Sequence, residues 1–208
     1  MTYRGTASDW SDRSDGSDRL PRLLAPAVPY AAVLIYHAGV VAIWLAAGRR
    51  PGVRQLLAGF RASAAVPLVL AGLAVGPIVY FAWPHVALDP QMGAVLSRFG
   101  LHGFPLAAFA VYSAVVNPAF EELHWRGVLF TETRRPAPVD ALFAGYHVIV
   151  LALVVEWPVA LAAAITLATA AWIWRVLAVR CGGLAVPYLS HLAADLAVIG
   201  AAWALMAR

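Results

Sequence analysis

Lysine is absent from this chain, and all fifteen of its basic residues are arginine. Charged residues of either sign make up only 12% of the 208 positions, against roughly 25% in an ordinary soluble domain. So little charge excludes a water-soluble globule. The net charge of +4 and pI near 9.6 would suit nucleic acid only if the arginines formed a patch or a reading motif. They are spread through short loops, so no nucleic-acid partner is expected. A single cysteine, Cys181, excludes an intrachain disulfide and a multi-cysteine metal cluster. No internal repeat is visible, which argues against the paired halves common in transporters.

What is abundant is apolar surface: 62% of residues are hydrophobic. A bilayer core needs about 20 apolar residues per helix, and six runs approach that, at 26–47, 62–83, 104–130, 139–155, 157–174 and 184–207. They predict an all-α, polytopic membrane helix bundle of about six transmembrane helices. A polar tail over 1–25 is expected to be disordered and to precede one membrane domain over 26–208. The first run is too long for a signal-peptide core, so it reads as an uncleaved helix. Segments four and five are separated by little more than Glu156, Trp157 and Pro158. A tight antiparallel hairpin follows. Arginine counts favour an outside N-terminus, nine on the inner loops and edges against six outside.

Ionisable side chains inside a span are costly and usually face one another or a cavity. Here they concentrate in three segments: Glu121, Glu122, His124 and Arg126 in the third, His147 in the fourth, and His191 and Asp195 in the sixth. His37 stands alone in the first and reads as a hydrogen-bonded core histidine. Depth gives an independent check. At 1.5 Å per residue, Glu121 lies roughly 13 Å from the 130 end of segment three, His147 roughly 12 Å and His191 roughly 10 Å from the starts of segments four and six. Alternating helix directions put those three ends on one membrane side, so the groups can meet at one level.

Helix geometry then sorts them. Glu122 and Arg126 stand at i and i+4 with the acid first, the favourable order for an ion pair. Glu121 points about 100° away and is left free for chemistry, as a carboxylate withdrawn from water is a stronger base. Phe143 with His147, and His191 with Asp195, repeat the same spacing and share helix faces. His124, at i+3 from Glu121, either touches that carboxylate or points to a neighbour.

These residues read as EELHWR, FAGYH and HLAAD, each on its own apolar segment. In order and spacing they resemble the EExxxR, FxxxH and HxxxN/D motifs of the CPBP (Abi) intramembrane proteases, the family that includes type II CAAX prenyl endopeptidases and bacteriocin-processing or self-immunity proteins. The resemblance covers about 104–200. It implies that Glu121 activates the attacking water, His147 helps to hold it, His191 and Asp195 form the oxyanion site, and Glu122, Arg126 and Phe143 support them. His124 sits where the family motif is commonly apolar, and Asp195 where Asn is frequent. An Asp there either stays protonated or orients His191.

The resemblance implies no cofactor in the glutamic mechanism. In the alternative, Glu121, His147 and His191 would bind zinc for a metalloprotease. The expected partners are the bilayer and a peptide or protein substrate that reaches it, lipidated substrates included. The expected location is a bacterial cell membrane, with the site toward the cytoplasm. Non-catalytic scaffold or immunity protein, and ion pathway, are the rival classes.

Overall fold

The computed structural model describes residues 27–208, so the tail expected over 1–25, with its four arginines, lies outside the described residues. Eight helices follow in order among the described residues: α1 (Ala27–Ala46), α2 (Val53–Leu57), α3 (Ala62–Val86), α4 (Met92–Arg98), α5 (Gly103–Val128), α6 (Pro138–Leu151), α7 (Trp157–Cys181) and α8 (Ala185–Met206). α3, α5, α7 and α8 are long and apolar enough to cross a membrane, and α1 and α6 are shorter apolar helices. Helices suit this chain because lipid cannot satisfy a backbone N–H or C=O, whereas a helix satisfies them internally. The fold is the expected all-α polytopic bundle.

Two details differ from the hydropathy reading. The fourth segment leaves the helix at Leu151 and not at 155. Its last residues turn back on the end of α3, where Leu88 N–H donates to the Val154 carbonyl at 3.0 Å and Glu156 N–H to that of Val86 at 2.9 Å. The short helices α2 and α4 lie in connections, below the length that a hydropathy run can register.

Helix ends follow local chemistry. Pro138 and Pro158 open α6 and α7 in the first turn, where a missing N–H costs nothing. The Asp140 carboxylate accepts the Ala137 N–H at 2.9 Å and caps α6. Gly182, at φ 73°, ends α7 in the left-handed conformation.

The bundle core forms where α3 crosses α8. A Cβ on Gly72 would stand 2.6 Å from the Ser190 carbonyl oxygen, and one on Gly76 2.7 Å from that of Ala197. Only glycine permits that approach, the small-residue contact that membrane helices use in place of a hydrophobic driving force. Ser190 reinforces it by donating to the Leu68 carbonyl at 3.1 Å. The consequence is a fixed height for α8, which carries His191 and Asp195.

At one end of the bundle the loops are fastened together. Leu184 N–H donates to the Gln55 carbonyl at 3.2 Å and Ala185 N–H to that of Ala58 at 2.9 Å. Trp172 Nε1 donates to the Arg134 carbonyl at 2.8 Å. Arg175, fully buried, pairs with Asp140 through Nε at 2.9 Å and Nη2 at 2.7 Å. It also donates to the carbonyls of Thr131, Thr133 and Arg135. Arg49, Arg50, Arg54, Arg61, Arg134, Arg135, Arg175 and Arg180 therefore share one end. Arg98 and Arg208 mark the other, paired with Asp89 and donating to Tyr80 respectively.

Candidate active site

α5 is not a regular helix. Pro118 lacks an N–H and its ring crowds the preceding turn. Immediately before it the helix widens into a π turn at Tyr112–Val116, with Asn117 N–H reaching back five residues to Tyr112. A second π turn runs over Glu122–Val128, closed by Leu129 N–H to the His124 carbonyl at 2.8 Å. Wide turns of this kind are uncommon and collect at functional sites. Here the second begins at the Glu121–Glu122 junction and carries both acids into the bundle.

Both carboxylates are buried, Glu121 to 1% exposure and Glu122 to 0%. Glu122 Oε1 accepts from Arg126 Nη1 at 3.1 Å, the expected i, i+4 pair. The Arg126 guanidinium also lies over the rings of Phe143, at 4.2 Å, and Trp174, at 5.1 Å, where the negative faces of the π systems favour a cation. A buried charge is tolerated only when it is paired. Arg126 is paired on one side and faced by aromatic rings on the other.

His191 joins the two acids. Its Nδ1 is 2.9 Å from Glu122 Oε1 and its Nε2 is 3.5 Å from Glu121 Oε2. The ring stacks on Trp174 at 4.8 Å, and Trp174 is itself anchored by Nε1 to Ser190 Oγ at 3.1 Å. Asp195 Oδ1 stands 3.8 Å from Nε2, beyond hydrogen-bond reach. Of the two neighbouring carboxylates, Glu122 is the one within hydrogen-bond reach of His191. Spacing along one helix pointed to Asp195, whereas packing of α5 on α8 supplied a nearer acceptor.

His147 Nδ1 faces the Phe143 carbonyl at 2.8 Å, and its Nε2 is 3.2 Å from the Tyr146 hydroxyl. Tyr146 also donates to Glu121 Oε1. Glu121, His147 and His191 are therefore brought to one level, with Asp195 at the edge and Phe143 packed between His147 and Arg126. His124 does not reach Glu121 in hydrogen-bond contact; its Nδ1 accepts from Trp44 Nε1 at 3.2 Å, the neighbour reading. His37 bonds to the Tyr112 hydroxyl and packs on Phe120 at 4.4 Å.

Two partners of Glu121 were not singled out from the sequence. Asn117 Nδ2 donates to Oε1 at 2.7 Å, and Tyr146 to the same oxygen. Asn117 stands one turn before Glu121, a spacing that carried the signal. Tyr146 adjoins His147 and has no such spacing to Glu121. Four buried atoms have no hydrogen-bond partner among the described residues: Glu121 Oε2, Glu122 Oε2, Arg126 Nη2 and His37 Nε2. Three of them line the meeting point of α5 and α8. No group of three or more His, Cys, Asp or Glu among the described residues is arranged to hold a metal ion.

Two buried acids flanking one imidazole, inside a polytopic helical bundle, make this cluster the candidate functional site. Residues 103–197 match the family model described as type II CAAX prenyl endopeptidase Rce1-like, a match that supports a CPBP/CAAX protease family. No curated protein and no solved structure matches the chain. The matched stretch coincides with the expected 104–200 and takes in Glu121, His147, His191 and Asp195. The match and the apolar helices support an integral membrane protease with a peptide or protein substrate.

Proposed function

We propose that the chain is an intramembrane endopeptidase in which Glu121 activates water without a resident metal. The observation that carries this reading is the asymmetry of one buried carboxylate. Oε1 of Glu121 is committed to Asn117 and Tyr146, while Oε2 has no partner and lies 3.5 Å from His191 Nε2. A buried polar atom without a partner is costly, so a site that keeps one suits a polar guest. Water hydrogen-bonded to Oε2 gives its proton to Glu121 as its oxygen adds to the peptide carbonyl.

The new oxyanion needs donors in place. His191 donates through Nδ1 to Glu122, so the N–H that meets the oxyanion is the second one, at Nε2 of the imidazolium. Asp195 lines the same edge of the ring. Glu121 then passes its proton to the leaving amine, which closes the cycle. His147 is assigned to hold the water, and Glu122, Arg126 and Phe143 to support the site. The basic end of the bundle faces the cytoplasm of a bacterial cell, in line with the arginine bias, and substrates approach from that side. They are prenylated CAAX-type tails or peptides of the bacteriocin class.

The test is quantitative proteomics of membrane-bound peptides in cells carrying the wild type or Glu121→Gln. The amide keeps the shape and removes the base, so cleavage should fall by at least about 100-fold while the protein still accumulates in the membrane. Peptide sets that do not differ would assign a non-catalytic scaffold. The same purified protein should retain activity through prolonged chelation. One zinc per chain, lost with activity and restored on readdition, would instead assign metal-assisted hydrolysis.

A further inference from the structure

The two oxygens of Glu121 are chemically equal but sit in unequal surroundings, and Tyr146 is the main cause. Its hydroxyl lies between Glu121 Oε1 and His147 Nε2. The tautomer of His147 follows from its other nitrogen. Nδ1 is 2.8 Å from the Phe143 carbonyl oxygen, which can only accept, so Nδ1 bears the proton. In neutral His147 that leaves Nε2 as a bare acceptor. The single phenolic proton of Tyr146 therefore faces two acceptors, a carboxylate and an imidazole, and can serve one at a time. An anionic carboxylate is the stronger claimant.

The ring carrying that hydroxyl packs against two other aromatic rings. Tyr36 stacks on it at 5.4 Å and 22°, and Trp125 lies parallel to it at 6.0 Å and 3°. Trp125 is tied in turn to the Tyr36 hydroxyl through Nε1 at 3.2 Å. These contacts position the phenol while leaving its O–H bond free to turn. Neither Tyr146 nor Asn117 falls on the residues through which the chain resembles its family.

We propose that Tyr146 is a positioning residue whose one proton selects the working oxygen of Glu121. In the resting site it donates to Oε1 and, with Asn117, reserves Oε2 for the water. When Glu121 takes the water's proton at Oε2 its negative charge is lost, and the Tyr146 O–H turns to His147 Nε2. The C–O bond to the peptide carbonyl forms, and its C=O π bond opens, as Glu121 takes the proton; the turn of the Tyr146 O–H itself makes and breaks only hydrogen bonds. The inference rests on Glu121 being the base, and its test is arranged so that the two ideas fail separately.

The experiment compares the wild type, Tyr146→Phe and Glu121→Gln, each full length in lipid nanodiscs. The probe is an internally quenched peptide copied from the cleavage site mapped in wild-type cells. Tyr146→Phe should lower kcat by about 10- to 100-fold, the effect of removing one donor from a charged acceptor, with KM unchanged. Infrared difference bands of the Glu121 carboxylate, identified as wild type minus Glu121→Gln, should shift in Tyr146→Phe. Where Tyr146→Phe does not accumulate, 3,5-difluorotyrosine at position 146 keeps the ring and its hydroxyl and should move the same bands. An unchanged kcat with unmoved bands overturns the role of Tyr146 and leaves Glu121 as the base. Full activity in Glu121→Gln overturns the base assignment itself.

Discussion

Two arginine–carboxylate pairs are buried in this bundle, and they are finished to different degrees. Arg175 and Asp140 share two hydrogen bonds, and the remaining capacity of the pair is used on the carbonyls of 131, 133 and 135 and on the Ala137 N–H. Arg126 and Glu122 share one, at 3.1 Å, and each keeps an atom without a partner. A saturated buried network is rigid and inert, whereas an unsaturated one remains ready to bind. An arginine–carboxylate pair thus fastens the α5–α6 loop at one depth and flanks Glu121, the proposed base, at another.

The comparison breaks first at its saturated member. Asp140→Ala or Arg175→Ala leaves a charge buried without its partner and should cost about 3 to 5 kcal/mol, read as a fall in thermal midpoint and folded yield in detergent. Replacing both together, Asp140→Leu with Arg175→Met, should recover much of that loss. A single replacement costing less than about 1 kcal/mol would mean the loop is held by something else.

Glu122→Gln should have a smaller effect on stability, about 2 kcal/mol, because the amide oxygen can still accept from Arg126 or His191 although not with the strength of a charge. Turnover should fall together with the thermal midpoint, since His191 loses the acceptor that aims its Nε2. Normal turnover in a folded Glu122→Gln protein would sever His191 from Glu122. The smallest change is expected at His124, which hydrogen-bonds Trp44 and not Glu121. His124→Asn keeps an acceptor near the Nδ1 position and should change stability by less than about 1 kcal/mol at wild-type turnover. A large loss of turnover there would extend the site toward α1.

Much of this was legible because lipid makes a polar residue an outlier. Glu121, His147 and His191 could be placed at one depth from hydropathy and rise alone, and the structure brings them together. Glu122 with Arg126 was legible for the same reason, since both stand on one helix. The Glu122 contact of His191 was not legible because sequence offers only spacing within a helix, and this contact runs between α5 and α8. Tyr146 escaped because a tyrosine in an apolar run usually reads as an anchor at the interface. Gly72 and Gly76 form a G-x-x-x-G pattern that marks close helix packing, a signal present in the sequence and not used. The π turns change register without changing composition, and Pro118 is their one visible trace.

α6 has 14 residues, roughly 21 Å of helix, set among neighbours built for a hydrocarbon layer of roughly 30 Å. Leu142, Ile149 and Val150 are exposed along it, so lipid must meet this short helix directly. The bilayer accommodates such a mismatch by thinning beside it. Tyr146 and His147 sit on that helix, so thinning there would bring bulk water nearer to the proposed site. Lipid chain length would then set how readily water reaches Glu121: thick membranes would hinder its approach and thin ones would ease it.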